Sequence, residues 1–291
     1  MDKLLQAEIG QRLSIHLRKE ISIRECKSVY GGDINTTHII VTNEGKFFIK
    51  QSSFSTLDMF EKEYNGLCLL HLKSELKIPK PIVHGRIQNT NFLVMECLAK
   101  SVATKQTWQM LGEGLAALHR NTQPQFGLSE DNFIGQLHQP NQFTETWTGF
   151  YIEQRIMPLF EQAQQEGNCS VSDVKKAELL CKKFNQLFPS EVPALLHGDL
   201  WNGNTMACID GKVAVYDPAI YYGLREMDMA MTLLFGGFDA IFYECYNECF
   251  PLQNGWQSRV DLCQLYPLLV HLILFGGTYY GRVKNILNKY Q

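Results

Sequence analysis

This 291-residue chain has no C-x-x-C pair, although it holds nine cysteines. They stand alone at 26, 68, 97, 169, 181, 208, 245, 249 and 263. Cys245 and Cys249 have the spacing of one helix face, but no histidine follows at zinc-finger distance. An odd, unframed set excludes a disulfide scaffold and predicts reduced thiols in a cytoplasmic protein, mostly serving as small buried apolar groups. The chain also lacks a basic stripe: its formal net charge is −3, so no nucleic-acid partner is expected. No acidic or basic tail is present. The N-terminal run MDKLLQAEIGQRL is too broken by polar residues for a secretory signal. The most apolar stretch, residues 265–276, is too short to span a bilayer and contains Pro267 and His271, so no membrane role is expected. There is no internal repeat, no low-complexity linker and no G-x-G-x-x-G.

What is there is ordinary in bulk: 45% hydrophobic and 20% charged residues, enough chain for one large domain or two modest ones. Leu4, Leu5, Ile9, Leu13 and Leu17 recur at helical spacing and predict an N-terminal helix. SVYGGDINTTHIIVTNEGKFFIKQ reads as three strands joined by glycine turns, and PIVHGRIQNTNFLVMECL as two more. Between them residues 58–73 are helical, with Asp58 at the cap position. After Leu98 the character changes. Helices are predicted over 104–121, 144–166 and 171–188, short strands at 194–196, 205–209 and 212–216, and helix thereafter. Strands first and helices later predict an α+β chain of two lobes, 1–98 and 99–291, rather than a parallel α/β sheet.

One stretch stands apart. LLHGDLWNGN, residues 195–204, turns abruptly from leucines to a carboxylate, amides and glycines. A second carboxylate, Asp217, ends the apolar strand in AVYDPA. Asn204 and Asp217 supply hard oxygen ligands suited to Mg²⁺, which leaves Asp199 to orient or deprotonate a hydroxyl. These are the parts of phosphoryl transfer. The spacing agrees: His197, Asp199, Leu200 and Asn204 stand at the offsets of the kinase loop H-R-D-L-x-x-x-N, with Asp217 at the D-F-G position. FFIK, residues 47–50, matches V-A-I-K, which makes Lys50 the α/β-phosphate contact and Glu63 its partner, with Glu61 as the fallback. Residues 92–98 fit the hinge strand at the adenine, where backbone groups of Glu96 and Leu98 can meet the purine edge. Gly31 and Gly32 offer only backbone N–H groups to phosphate.

HGDLWNGN, DPAIYYGLREMDMAMTLLFGGF and NFIGQLHQPNQFTETW together resemble the fructosamine kinase family, within the aminoglycoside-phosphotransferase, protein-kinase-like group. The likeness extends over nearly the whole chain. It implies a bilobal protein-kinase-like fold, ATP and Mg²⁺ as cofactors, Asp199 as catalytic base, Asn204 and Asp217 as metal ligands, and a ketosamine, free or protein-bound, as substrate. Some relatives carry a cysteine in the glycine loop that forms redox-sensitive dimers; this loop has none, and Cys26 lies upstream.

Several residues admit two readings. Trp201 and Trp147 are either core aromatics or walls for a sugar face. Glu226 is a candidate substrate contact, and Asp228 a hydrogen-bond acceptor behind the loop. His197 is expected to hold the loop rather than to react. The competing functions are a kinase of another small acceptor, such as an aminoglycoside, choline or a sugar, and a non-enzymatic nucleotide-binding relic. The presence of Lys50, Asp199, Asn204 and Asp217 argues against the relic.

Overall fold

The computed structural model describes residues 1–29, 35–53 and 58–291. Gly31 and Gly32 lie outside the described residues. The first helix, α1 (Lys3–Leu17), starts where the Asp2 carboxylate accepts the Leu5 N–H at 2.8 Å, a standard N-cap. Its Leu5, Ile9 and Leu13, four residues apart, are fully buried. They pack on one face of a five-stranded antiparallel sheet built from β1 (Ile23–Val29), β2 (Thr36–Thr42), β3 (Gly45–Ser52), β4 (Pro81–Ile87) and β5 (Thr90–Glu96) in the order β1-β2-β3-β5-β4. Period-two alternation sorts β3: Phe47 and Ile49 join the α1 cluster, while Phe48 and Lys50 face the opposite side. Helix α2 (Met59–Lys73) lies on that second side. Asp58 stands at its N-cap position but makes no side-chain capping bond.

The rest is mostly helical: α3 (Lys105–His119), α4 (Trp147–Tyr151), α5 (Met157–Gln165), α6 (Val171–Cys181), α7 (Phe184–Leu187), α8 (Glu226–Thr232), α9 (Ala240–Cys249), α10 (Trp256–Phe275) and α11 (Tyr280–Lys289). A π-helical turn, Ile152–Ile156, joins α4 to α5, so the helix expected over 144–166 is three consecutive pieces. Three short antiparallel pairs are set among the helices. They are β6 (Asn132–Ile134) with β7 (Leu137–Gln139), β8 (Ala194–Leu196) with β11 (Tyr221–Gly223), and β9 (Thr205–Ala207) with β10 (Val213–Val215). The chain is α+β, with strands and helices segregated as expected.

Two features position the site. A continuous apolar cluster runs from α2 and β5 (Leu67, Leu70, Leu93, Met95) to α3 and the short strands (Leu111, Leu115, Leu195, Val213, Val215). It ties the sheet to the helical part along a seam. Hydrogen bonds add to it: Lys77 N donates to Val213 O at 3.0 Å, and Val215 N to Lys77 O at 3.0 Å.

The apolar run near 265–276 needs correcting. It belongs to a 20-residue helix, α10, long and apolar enough by length and composition to cross a membrane. Its Leu262, Leu265, Leu268, Leu269 and Leu272 are fully buried in the C-terminal core. That burial accounts for the composition, and Pro267 is accommodated within the helix.

Candidate active site

A cleft of about 680 Å³ opens along the seam. Lys50, Glu63, Glu96, Leu98, Asp199, Trp201, Asn204 and Asp217 all line it. Side chains from position 50 to position 217 thus converge on one cavity.

The Lys50 ammonium is the centre of the arrangement. It is nearly buried and lies 2.6 Å from a Glu63 oxygen and 2.6 Å from Asp217 Oδ1. Burial alone would lower its pKa; the Asp217 and Glu63 carboxylates outweigh that and raise it above the ordinary lysine value. Lys50 is therefore a fixed positive charge. Asp217 holds its carboxylate there with φ +58°, in the left-handed region that a non-glycine residue adopts rarely and at some strain.

Across the cleft, Asn204 Nδ2 donates to the Asp199 carbonyl at 2.8 Å and to its Oδ2 at 3.0 Å. Tyr216 N donates to Asn204 O at 3.1 Å, which brings the strand end carrying Asp217 alongside the loop. Burial raises the Asp199 pKa to about 7, against the Asn204 hydrogen bond, with the charges of Asp217 and Asp228 adding to the rise. A carboxylate tuned near neutrality suits proton transfer.

The loop itself is braced from beneath. Asp228 is buried and accepts His197 N at 2.7 Å, Gly198 N at 2.9 Å and His119 Nε2 at 3.1 Å. Burial works against its charge, yet the hydrogen bond and charge of His119 and the remaining donors lower its pKa below the ordinary value. His119 in turn meets the Tyr246 hydroxyl at 2.8 Å. His197 accepts the Asp199 N–H on Nδ1 and donates from Nε2 to Tyr216 O at 3.1 Å. Both ring nitrogens serve the loop, and burial lowers its pKa. Gly198 has φ +84°, and a Cβ there would overlap the Ala219 carbonyl. Only glycine fits the turn.

Two expected substrate contacts are elsewhere. Trp147 is 4% exposed and packs among Phe126, Phe150, Tyr151 and Phe188; it is a core aromatic. Glu226 is 1% exposed and bound twice by Arg259, at 2.6 and 2.7 Å, away from the cleft. Trp201 does line the cleft, its ring set over Gly203 and edge-on to Phe235 at 5.4 Å. At the hinge, the Glu96 N–H is taken by Lys80 O at 2.9 Å, so that N–H is not available to a base.

Sequence reasoning passed over a polar network behind the cleft. Asn132 Nδ2 donates to Ile220 O at 2.7 Å, and Gln139 Nε2 to Ala219 O at 3.1 Å and to Asn132 Oδ1 at 2.7 Å. Asn141 Nδ2 donates to Asn132 Oδ1 at 3.0 Å, and Arg155 Nη2 to Asn141 Oδ1 at 2.6 Å. These amides fix the backbone just after Asp217. The clue was their density in NFIGQLHQPN, since amides in an otherwise apolar stretch need buried partners.

Among the described residues no cluster of three His, Cys, Asp or Glu side chains could hold a metal by itself. The Asn204 amide and the Asp217 carboxylate are hard oxygen donors at the cleft and would suit a cation such as Mg²⁺.

The fructosamine kinase family model matches residues 5–291. A probable ketoamine kinase of Synechocystis sp. is 36% identical over 284 residues, covering 97% of this chain and 95% of that protein. The chloroplastic protein-ribulosamine 3-kinase of Oryza sativa subsp. indica is 33% identical over 278 residues, 94% of this chain and 80% of the other. A crystal structure from Haemophilus somnus 129PT, provisionally named a fructosamine-3-kinase, superposes with a TM-score of 0.88 at 28% identity, covering 97% and 96%. Aminoglycoside phosphotransferase APH(4)-Ia shares the fold alone: TM-score 0.67 at 14% identity, with 99% and 98% covered.

Proposed function

Because this chain belongs to the fructosamine kinase family, we propose that it transfers the γ-phosphoryl group of ATP to a sugar hydroxyl of a fructosamine- or ribulosamine-type ketosamine. The observation that carries the reading is Lys50, held 2.6 Å from both Glu63 and Asp217, in the same cleft as Asp199 and Asn204. In this reading residues 1–98 bind the nucleotide, and 99–291 bind the acceptor and carry the reacting groups.

Each group then has one task. Lys50, oriented by Glu63, neutralises charge on the α- and β-phosphates. Phe48, Met95, Leu98 and Met206 line the cleft and supply apolar walls for the base. Asn204 and Asp217 would hold Mg²⁺, which supplies charge neutralisation at the phosphates when bound. Asp199 orients the acceptor hydroxyl. As the oxygen bonds to the γ-phosphorus, its proton passes to the Asp199 carboxylate, and the bond from phosphorus to the β,γ-bridging oxygen breaks, releasing ADP.

The acceptor end of the cleft favours a ketosamine over a polycation. Its described lining there is Phe133, Ile134, Trp201, Val270, His271, Leu274 and Phe275. A polycationic aminoglycoside calls for several carboxylates, and that lining adds none to Asp199. Purified protein given ATP and Mg²⁺ should phosphorylate a ribulosamine or fructosamine and leave an aminoglycoside and choline untouched. Turnover of the latter two with neither ketosamine consumed would overturn the acceptor assignment.

A further inference from the structure

The Lys50–Glu63 pair works only if α2 presents Glu63 at the right rotation about its own axis. Glu63 cannot fix that rotation, because it is the group being aimed. The face beside it is gripped from the other half of the molecule. Lys62 Nζ lies 2.7 Å from Glu130 Oε2, and Asn65 Nδ2 donates to Glu130 Oε1 at 3.1 Å. One carboxylate thus engages two positions three residues apart on one helical face. Next to them, Gly66 lies against Pro218 and Ile220; a Cβ there would sit at van der Waals distance, 3.5 Å, from an Ile220 side-chain carbon.

Glu130 is itself firmly seated. Its backbone carbonyl accepts Asn141 Nδ2 at 3.1 Å, and the neighbouring Asp131 accepts Asn141 N at 2.8 Å. Two residues on, Asn132 holds the Ile220 carbonyl. The segment 130–132 therefore grips α2 on one side and the backbone following Asp217 on the other. Both carboxylates that meet Lys50 are referenced to the same short stretch.

We propose that Glu130 is a positioning residue that sets the rotation of α2 and so aims Glu63 at Lys50. A side-chain tip stands about 6 Å from a helix axis. A rotation of about 20° would carry Glu63 about 2 Å, enough to open its bond to Lys50 beyond hydrogen-bonding range. Without that bond Lys50 keeps Asp217 but loses the Glu63 anchor that orients it. The inference rests on the kinase reading above, because the nucleotide is what registers the displacement.

The test is a cycle of Glu130→Ala and Glu63→Gln, read by the KM for ATP, the kcat and the melting temperature. Glu130→Ala should raise the ATP KM about fivefold, the scale of a partly exposed ion pair plus one hydrogen bond, while moving the melting temperature by less than about 2 °C. In the Glu63→Gln background the same change should have no further effect on that KM, because Glu130 acts through Glu63. A Glu130→Ala KM within twofold of the parent overturns the inference, and so does an equal fold-change in both backgrounds. If the alanine variant does not fold, Glu130→Gln, which keeps the shape and one acceptor oxygen, takes its place: a raised ATP KM that vanishes with Glu63→Gln supports the inference, and a parental KM overturns it. A parent protein that fails to bind ATP overturns the kinase reading and this inference with it; a parent that binds alongside an unaffected variant overturns the inference alone.

Discussion

Asp228→Asn removes one charge from beneath the loop that carries Asp199. The carboxylate receives three donors, His197 N, Gly198 N and His119 Nε2, within 2.7 to 3.1 Å and out of solvent. An asparagine oxygen retains one backbone donor. Its NH₂ then faces the other backbone N–H, donor against donor. An unsatisfied buried N–H costs about 1–3 kcal/mol, and losing the ionised acceptor removes about 1.5–3 kcal/mol more. A net loss of about 3–5 kcal/mol is expected. For 291 residues at about 2.1 cal/mol/K each, the unfolding entropy is about 0.6 kcal/mol/K, so the melting temperature should fall by about 5–8 °C. The loop should also lose its register, lowering turnover about tenfold or more. Thermal melts by circular dichroism and an ADP-release assay measure the two effects. A variant that melts within 2 °C of the parent and turns over within twofold would show that Asp228 is no brace.

Lys50→Ala should raise the ATP KM and cut transfer by at least about tenfold, as a preorganised charge is lost; a variant that handles ATP like the parent reduces FFIK to a strand. Asp217→Ala should abolish Mg²⁺-dependent turnover with the melting profile preserved, and retained metal-dependent activity would sink the ligand assignment. Asp199→Asn should keep ATP binding and lose ketosamine phosphorylation by roughly 10²-fold or more. The same variant tests the pKa: burial raises Asp199 to about 7, so the folded chain keeps a proton that the unfolded chain has released. The parent therefore loses stability as pH rises from about 4 to 7. With chelator present, Asp199→Asn should melt higher than the parent at pH 8 and level with it at pH 4; the reverse order contradicts the tuned carboxylate.

The sheet was legible because its information is local. FFIK alternates between two apolar faces, Phe47 and Ile49 toward α1, Phe48 and Lys50 toward the cleft, and β-hairpins need only short turns to close. The β6–β7 pair was not legible, since NFI and LHQ lack the apolar runs ALL and VAV that mark β8 and β10. The π-helical turn at Ile152–Ile156 was hidden for a different reason. Its Arg155 is buried within 4.3 to 5.3 Å of the rings of Phe150, Tyr221 and Tyr266, and two of those partners are more than sixty residues away.

The same distinction separates the site residues. Asp199, Asn204 and Asp217 sit within nineteen positions of one another, so spacing alone groups them. Glu226 and Asp228 sit just as close; Asp228 is the acceptor behind the loop that was expected, whereas Glu226, expected at the substrate, is not in the cleft. Their fates are decided by donors that arrive from afar: Arg259 for Glu226, His119 and the loop backbone for Asp228. A buried carboxylate is expensive until it is paired, and whichever donors reach it first settle its task. Glu226 meets a guanidinium and becomes half of an ion pair. Asp228 meets two backbone N–H groups and becomes a strut. Among the described residues the Asp199 carboxylate accepts from the Asn204 amide alone, and that bond with the Lys50 charge stabilises it too little to offset burial. That shortage of donors is what leaves it able to accept a proton, and the neighbouring charges of Asp217 and Asp228 add to the rise.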